Sequence, residues 1–273
     1  MKTPNRKALR HFTRILGILL VFGGAFGLAN TFFVFPGLSC YAFPYSVSIC
    51  PMGILQNFLS TGTALLLPLA FVMGLGLVLG RGWCGWFCPF GTFQDILGVK
   101  TRPGKGKSLW WIKFVVLALT LFLAWLASDT LFCKVCPAGT LEGTLPYLFN
   151  GTATLNPASI LHLVTLGFVV VMVFFYSRFW CRYLCPVGAI FGIFNRVTPL
   201  QVRFHSDKCL HCNRCSRYCP QGLDVVKEVN GTDCIKCGEC IVCDALSLEY
   251  RPVSRKEGIK RRLASSKKRN ITK

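Results

Sequence analysis

Four cysteines near the carboxyl end of the chain are spaced to bind iron and sulfur. Cys209, Cys212, Cys215 and Cys219 follow the spacing C-x2-C-x2-C-x3-C, and Pro220 comes directly after them. Three thiolates set this closely ligate three irons of one [4Fe-4S] cube from a tight loop. The fourth cysteine, which the proline holds in an extended conformation, reaches a second cube. This spacing therefore predicts iron–sulfur chemistry.

A second run of four cysteines follows after 14 residues and completes two ligand sets. Only two residues separate Cys240 from Cys243, and Asp244 stands where a proline is usual. The fourth ligand of cluster one therefore stays open. Either a shifted turn brings Cys243 to the cluster, or the cluster is labile at one iron. Zinc also uses C-x2-C pairs, but two consecutive runs favour iron and sulfur. The predicted ligands are Cys209, Cys212, Cys215 and Cys243 for cluster one, and Cys219, Cys234, Cys237 and Cys240 for cluster two.

The other eight cysteines form an internal repeat of four pairs, and each pair ends in the motif Cys-Pro-x-Gly. The proline forces the preceding cysteine into an extended conformation and the glycine permits a turn, so the thiol lies at the end of a helix. One such motif would mark only a helix boundary, but four copies favour a shared chemical role. The pairs are Cys40 and Cys50, Cys84 and Cys88, Cys133 and Cys136, and Cys181 and Cys185.

Long apolar stretches separate these pairs. The chain of 273 residues is 52% hydrophobic with a mean hydropathy of +0.49, which excludes an ordinary soluble domain. Each stretch approaches the ~20 residues that cross a bilayer as a helix. We predict an all-α membrane bundle of four helices over 1–198, a small α+β ferredoxin-like domain over 199–250 and a basic disordered tail over 251–273. The predicted spans cover about 15–35, 63–80, 109–127 and 160–176.

The distribution of charge orients the predicted spans. Of the 31 Lys and Arg residues, 10 lie after Tyr250 and most others flank the apolar stretches, so membrane topology explains the net charge of +20 better than nucleic-acid binding. The region before the first span and the connection between the second and third are basic, whereas 36–62 has no charged residue. The amino terminus and the cysteine-rich segment after Pro199 are thus predicted to lie on the cytoplasmic side of a prokaryotic inner membrane, where disulfides are disfavoured.

Two features at the chain ends have simple interpretations. The basic tail is expected to contact anionic lipid headgroups. A signal peptide ending near Cys40 is an alternative to the first span, but the apolar run is longer than the apolar core of a usual signal peptide.

The predicted topology sorts the repeated pairs into two groups of four. The inner group is the better candidate for an additional redox or metal site, because cytoplasmic thiols stay reduced. The outer group is equally compatible with a redox site and with disulfides. If the two helix pairs face each other about a pseudo-two-fold axis, four thiols converge on each face. The inner group is Cys84, Cys88, Cys181 and Cys185, and the outer group is Cys40, Cys50, Cys133 and Cys136.

Two of these motifs also carry a family resemblance. The two motifs are Arg81-Gly-Trp-Cys84-Gly-Trp-Phe-Cys88-Pro-Phe-Gly and Phe179-Trp-Cys181-Arg-Tyr-Leu-Cys185-Pro-Val-Gly. Together with the paired cluster motifs after four apolar stretches, they resemble the NapH/MauN family of ferredoxin-type membrane proteins. The resemblance extends more loosely to the membrane portion of NosR regulators and to the cytochrome oxidase accessory protein CcoG. Its NapH branch implies a quinol dehydrogenase that passes electrons from membrane quinol, with a partner ferredoxin-like or cytochrome subunit, to a periplasmic reductase. Other branches serve methylamine oxidation or metal-site maturation.

A quinol site needs an apolar slot and a group that accepts protons, usually a carboxylate or a histidine. The candidates near the predicted outer face are His162, Glu142 and Asp129, although a histidine at a helix end is more often an interfacial residue. The leading hypothesis is an electron-transfer subunit that works between the quinone pool and a partner redox enzyme. The alternative is an iron–sulfur maturation or regulatory factor for a metalloenzyme, and a third is a membrane scaffold with structural clusters.

Overall fold

The described elements in the first half of the chain are all helices. The computed structural model describes residues 3–25, 50–61, 66–98, 111–149, 156–210 and 212–250. The helices of the first half are α1 (Thr3–Ala25), α2 (Pro51–Thr61), α3 (Leu66–Leu79), α4 (Gly82–Trp86), α5 (Pro89–Leu97) and α6 (Ile112–Ala127).

The second half contains shorter elements around one long helix. Single turns occupy Cys133–Val135, Thr140–Thr144, Trp180–Leu184 and Ser206–Lys208. The remaining elements are α7 (Pro137–Gly139), α8 (Leu145–Phe149), α9 (Pro157–Phe175), α10 (Pro186–Phe194), β1 (Leu200–Phe204), α11 (Arg214–Arg217), α12 (Val225–Glu228) and β2 (Leu246–Tyr250).

Three helices coincide with predicted membrane spans. The spans at 63–80, 109–127 and 160–176 correspond to α3, α6 and α9, while the span at 15–35 overlaps α1 and then continues outside the described residues. In the part of the chain that is described, α9 alone has both the length and the apolar character to cross a bilayer, and α6 is apolar but shorter. The four-span bundle therefore stays a prediction.

All four Cys-Pro-x-Gly motifs start a helix at the proline. Helices α2, α5, α7 and α10 begin at Pro51, Pro89, Pro137 and Pro186. Proline fits the first turn of a helix because its fixed φ is helical and the first turn needs no donor from it. The preceding cysteine is the N-cap of α5, α7 and α10, and the sulfurs of Cys88 and Cys185 accept a hydrogen bond from an amide of the first turn.

A two-stranded antiparallel sheet closes the carboxyl-terminal segment. Strands β1 and β2 pair with Leu200 opposite Tyr250 and Phe204 opposite Leu246, so the two ends of the segment lie side by side. The Asn230 side chain donates to the carbonyl oxygen of Val202 and accepts from its amide, at 2.7 and 2.9 Å. The sheet thereby holds the cysteine-rich loops between its two strands. The ferredoxin-like fold and the domain boundary at 199 stay predictions.

Candidate iron–sulfur sites

The four cysteines predicted to bind cluster two surround one cavity. Cys219, Cys234, Cys237 and Cys240 line it together with apolar side chains such as Val202, Leu223 and Val225. Burial raises the pKa of the Cys219 thiol to about 12, and the neighbouring Cys237 adds to the rise. Burial likewise raises the pKa of Cys240, with contributions from Cys237 and Cys234. Buried thiols in an apolar pocket need a bound cation to become thiolates.

The chemistry of this pocket fits an iron–sulfur cluster. The amide nitrogen and oxygen of Gln221, a fully buried residue that lines the pocket, have no hydrogen-bond partner in the described structure. Gly238 has φ of +78°, and a Cβ there would meet only Ile241, at 3.8 Å. Among the described residues, no three Cys, His, Asp or Glu side chains meet as ligands of a single metal ion. A single ion bound at ~2.3 Å needs sulfurs about 4 Å apart, whereas a four-iron cube holds its ligands farther apart.

The cysteines predicted to bind cluster one lie nearer the surface. Cys212 and Cys243 are exposed, and Cys209 and Cys215 are half-buried. Cys215 packs against the core of the carboxyl-terminal segment, which also contains Cys219 and Cys240. The ligand assignment of cluster one, including Cys243 as the fourth ligand, stays a prediction.

The inner thiols are brought together from distant parts of the chain. Burial raises the pKa of the Cys185 thiol, and Cys181 and Cys84 add to the rise because both lie nearby. The sulfurs of Cys88 and Cys185 accept hydrogen bonds from the amides of Gly91 and Gly188, each at 3.4 Å. Backbone amides that point at sulfur stabilise negative charge on it. The two motifs therefore present their cap cysteines in the same way.

Two buried arginines connect the halves of the inner site reciprocally. Arg81 lies three residues before Cys84, and Arg178 lies three residues before Cys181. Arg81 Nη2 donates to the carbonyl oxygen of Cys181 at 2.8 Å, and Arg178 Nη1 donates to that of Cys84 at 3.2 Å. Both side chains are completely buried. Such reciprocal contacts are what a pseudo-two-fold relation between the two motifs predicts.

Each buried arginine has an aspartate as its counter-ion. Arg178 binds both carboxylate oxygens of Asp95, at 2.5 and 2.7 Å, and Arg10 and Arg14 of α1 bind the same carboxylate. Arg81 lies 3.1 Å from Asp233, which also pairs with Lys113 of α6. The fully buried guanidinium groups are therefore compensated by charge from other elements.

The outer thiols also lie together where they are described. Burial raises the pKa of the Cys133 thiol, and the neighbouring Cys50 and Cys136 add to the rise. The half-buried His162 lies beside this group, because its ring hydrogen-bonds to the Cys136 backbone and its Nδ1 lies 3.2 Å from Thr140 Oγ1. Cys40, the fourth predicted member, lies outside the described residues.

The two carboxylate candidates for a quinol site differ from His162. Asp129 is exposed and pairs with the exposed Lys134, so it belongs to the surface. Glu142 lies in the turn Thr140–Thr144, and its side chain is outside the described part of the structure. The structure therefore places His162 in hydrogen-bond contact with the outer motif, whereas Asp129 lies near Cys133 but is paired with Lys134 at the surface.

The loop that carries cluster-two cysteines docks against the inner site. Trp86, two residues after Cys84, donates its indole N–H to the carbonyl oxygen of Lys236 at 3.0 Å. Gly85 lies so close to Ile235 that a Cβ at Gly85 would clash with the carbonyl oxygen of Ile235. On the other side, Asn195 donates to the carbonyl oxygen of Cys234 at 2.8 Å.

We expect Gly85→Ala to displace this loop, since the added methyl group clashes with backbone that cannot rotate away. Limited proteolysis of the full chain should then cleave the segment around 231–240 at least several-fold faster than in the wild type. Gly74→Ala is the matched control, because a Cβ at Gly74 meets no atom within 4 Å. Equal cleavage of the two variants would contradict the close docking at Gly85.

Several of these residues were not predicted from the sequence. A repeated spacing in the sequence could have indicated the reciprocal arginines, because each precedes its cysteine pair by three residues. A repeated spacing also marks the two buried glutamines, since Gln56 and Gln94 each lie six residues after the cysteine of a Cys-Pro-x-Gly motif. Asp95 had no such signal, since nothing local marks it as the partner of three arginines.

Comparison with known proteins agrees with a site built from these motifs. The segments 61–108, 109–153 and 159–205, just over half of the chain, each match a family described as a 4Fe-4S binding domain. Each matched segment contains one cysteine pair that ends in Cys-Pro. The matched family and the cysteines at the helix ends therefore identify the chain as a ferredoxin-type iron–sulfur protein. No solved structure matches the chain.

Three relatives specify the family further. Protein MJ0750 of Methanocaldococcus jannaschii, named only as uncharacterized, is 31% identical over 77% of this chain and 90% of its own. The ferredoxin-type protein NapH of Haemophilus influenzae is 24% identical over 65% of each chain. The methylamine utilization ferredoxin-type protein MauN of Methylorubrum extorquens is 27% identical over 67% of this chain and 63% of its own. The chain therefore belongs to the NapH/MauN family of ferredoxin-type proteins, although it spans less than two thirds of NapH and MauN themselves.

Proposed function

We propose that this protein spans the prokaryotic inner membrane four times and passes electrons between the quinone pool and a partner redox enzyme. Two [4Fe-4S] clusters bound by the carboxyl-terminal cysteines and a third iron–sulfur site at the inner thiols would carry the electrons. Each cluster, when bound, supplies one-electron storage. The proposed partner is a ferredoxin-like or cytochrome subunit of a reductase or dehydrogenase system, and the relatives NapH and MauN are themselves ferredoxin-type proteins.

Exposed apolar side chains support the membrane part of this proposal. Phe122 and Trp125 of α6 and Val164, Phe168 and Phe175 of α9 are all exposed, although both helices are apolar on every side. A soluble protein rarely exposes so continuous an apolar surface, whereas lipid tails would cover it. The helix ends carry the cysteine motifs. The inner and outer groups of thiols lie near each other, because Phe132, beside Cys133, stacks on Trp180, beside Cys181, with ring centroids 6.1 Å apart.

The observation that carries the electron-transfer proposal is the contact between the cluster-two loop and the inner site. Arg178 lies near both Cys181 and Cys237. Although burial lowers the pKa of Arg178, Asp95 raises it above its ordinary value, and the Cys181 and Cys237 thiols add to that rise. A direct contact joins the same two sites, since Trp86, two residues after Cys84, donates to the carbonyl oxygen of Lys236, the residue before Cys237, at 3.0 Å. Because electron tunnelling weakens steeply with distance, two redox sites in such contact are well placed to exchange electrons.

At the outer face, His162 is the proposed proton acceptor for quinol. It is half-buried, lies beside the outer cysteines and is held by Thr140, whose hydroxyl also donates to the backbone oxygen of His162 at 3.0 Å. Hydrogen bonds to Thr140 and to the Cys136 backbone orient the imidazole ring, and a neutral imidazole accepts a proton near physiological pH. Asp129 is bound to Lys134 at the surface and does not take this role.

The proposal is tested with anaerobically purified protein in lipid vesicles. We expect about twelve irons per chain, four for each of three clusters, and about eight would leave the inner thiols without a cubane cluster. Added quinol should bleach the cluster absorbance. His162→Ala should slow this reduction about 100-fold, the usual contribution of a general base, while dithionite still reduces the clusters at the wild-type rate.

His205→Ala is the control, because His205 is exposed in the carboxyl-terminal segment, away from the outer thiols. Equal quinol rates for the wild type and both histidine variants would refute the role of His162. Loaded clusters that quinol never reduces would refute the quinone link itself and favour a maturation or regulatory role.

A further inference from the structure

Two buried glutamines occupy equivalent places in the cysteine repeat. Gln56 follows the motif Cys50-Pro-Met-Gly, and Gln94 follows the motif Cys88-Pro-Phe-Gly. Both therefore lie in the pattern Cys-Pro-x-Gly-x-x-Gln. Both glutamines are completely buried. A buried primary amide that is only partly hydrogen-bonded loses stability to desolvation, so its presence at two matching positions needs a reason.

At the inner face, the glutamine reaches a sulfur. Gln94 Nε2 donates a hydrogen bond to Cys181 Sγ at 3.1 Å, while its Oε1 has no partner within the described structure. Gln94 belongs to α5, which starts at the motif of Cys88, whereas Cys181 belongs to the opposite motif. The amide therefore links the two halves of the inner site through a ligand-type atom.

At the outer face, the same relation recurs. Gln56 lies on α2, which starts at the motif of Cys50, and its Oε1 accepts from Cys133 Sγ at 3.8 Å. Cys133 is the first cysteine of the opposite pair, as Cys181 is at the inner face. In both groups a buried glutamine amide therefore lies within reach of the first cysteine of the opposite pair.

We propose that Gln94 is a positioning residue of the inner iron–sulfur site, where its amide fixes Cys181 and stabilises the reduced cluster relative to the oxidised one. This inference rests on the proposed function, which places a cluster at the inner thiols. A hydrogen bond to a ligating sulfur offsets the negative charge that an added electron brings, so it raises the reduction potential. Gln94 thus acts on the cluster through Cys181, because it is not itself a ligand.

The test is a potentiometric titration of the full chain in detergent, followed by electron paramagnetic resonance. The inner signal is identified as the one lost in Cys181→Ser. We expect Gln94→Leu to keep the wild-type iron content and to lower the ratio of reduced to oxidised inner cluster about tenfold at a fixed potential, a shift of about 59 mV for one electron. Gln94→Met, which also fills the site without a donor, should give the same shift if the leucine variant folds poorly.

Gln56→Leu is the matched control, since it makes the same change at the other end of the repeat and should leave the inner potential unchanged. An inner signal with the wild-type potential in both Gln94 variants would overturn the role of Gln94 while leaving the proposed cluster intact. An equal shift in Gln56→Leu would overturn it too, because the change would then reflect general packing. If Cys181→Ser loses neither iron nor a signal, the inner cluster and the role of Gln94 are both refuted.

Discussion

Replacing Asp95 with alanine is expected to destabilise the folded protein by about 3–5 kcal/mol, because it leaves buried positive charge without a counter-ion. Asp95 binds Arg178, whose side chain is completely buried, and it also pairs with Arg10 and Arg14 of α1. The loss should appear as a lower midpoint of thermal unfolding in detergent. Arg10 also pairs with Glu239 of the carboxyl-terminal segment, so α1 should separate from that segment as well.

Asp129→Ala is the matched control, because it removes an aspartate whose ion pair with Lys134 is exposed and should leave the midpoint unchanged. The effect of Asp95 should also depend on pH. Burial alone would raise the pKa of Asp95, but Arg178, then Arg14 and Arg10, lower it below the ordinary value of 3.8. Its stabilising contribution is therefore present above pH 3.8 and is lost as the pH falls through the lower folded value. Equal midpoints for Asp95→Ala and Asp129→Ala at neutral pH would contradict the buried network.

Replacing Cys219 with alanine is expected to remove about four irons per chain, because the structure places Cys219 at the pocket of Cys234, Cys237 and Cys240. Cys219 belongs by sequence to the first cysteine run, yet in space it lies with the second. The variant should therefore lose cluster two, measured by iron analysis and by electron paramagnetic resonance of the reduced protein.

Double variants distinguish clusters that take ligands from both cysteine runs from clusters that each use a single run. If Cys219 and Cys237 bind the same cluster, Cys219→Ala with Cys237→Ala should lose no more iron than either single variant. Cys219→Ala with Cys212→Ala should lose about eight irons, because two clusters are then damaged. The opposite result, with additive losses for Cys219 and Cys237, would show that each run binds its own cluster.

Local signals predicted much of the framework. Apolar stretches indicated α3, α6 and α9, because a helix that is hydrophobic on all sides is visible in any short window. The Cys-Pro motifs indicated where α2, α5, α7 and α10 begin, since proline restricts its own residue and the one before it. The cysteine spacing also predicted that Cys219 would join the second run, and the structure places it in that pocket.

The sequence by itself determined which cysteines are spaced as ligands and at which helix ends they stand, because proline dihedrals, thiol spacing and hydrophobicity act over a few neighbouring residues. Only the tertiary structure decided that Arg81 and Arg178 cross between the motifs, that Asp95 compensates three arginines and that Gln94 reaches Cys181. The structure also placed His162 beside the outer thiols and left Asp129 at the surface. These contacts join residues far apart in the chain, and they depend on how the helices pack rather than on any local preference.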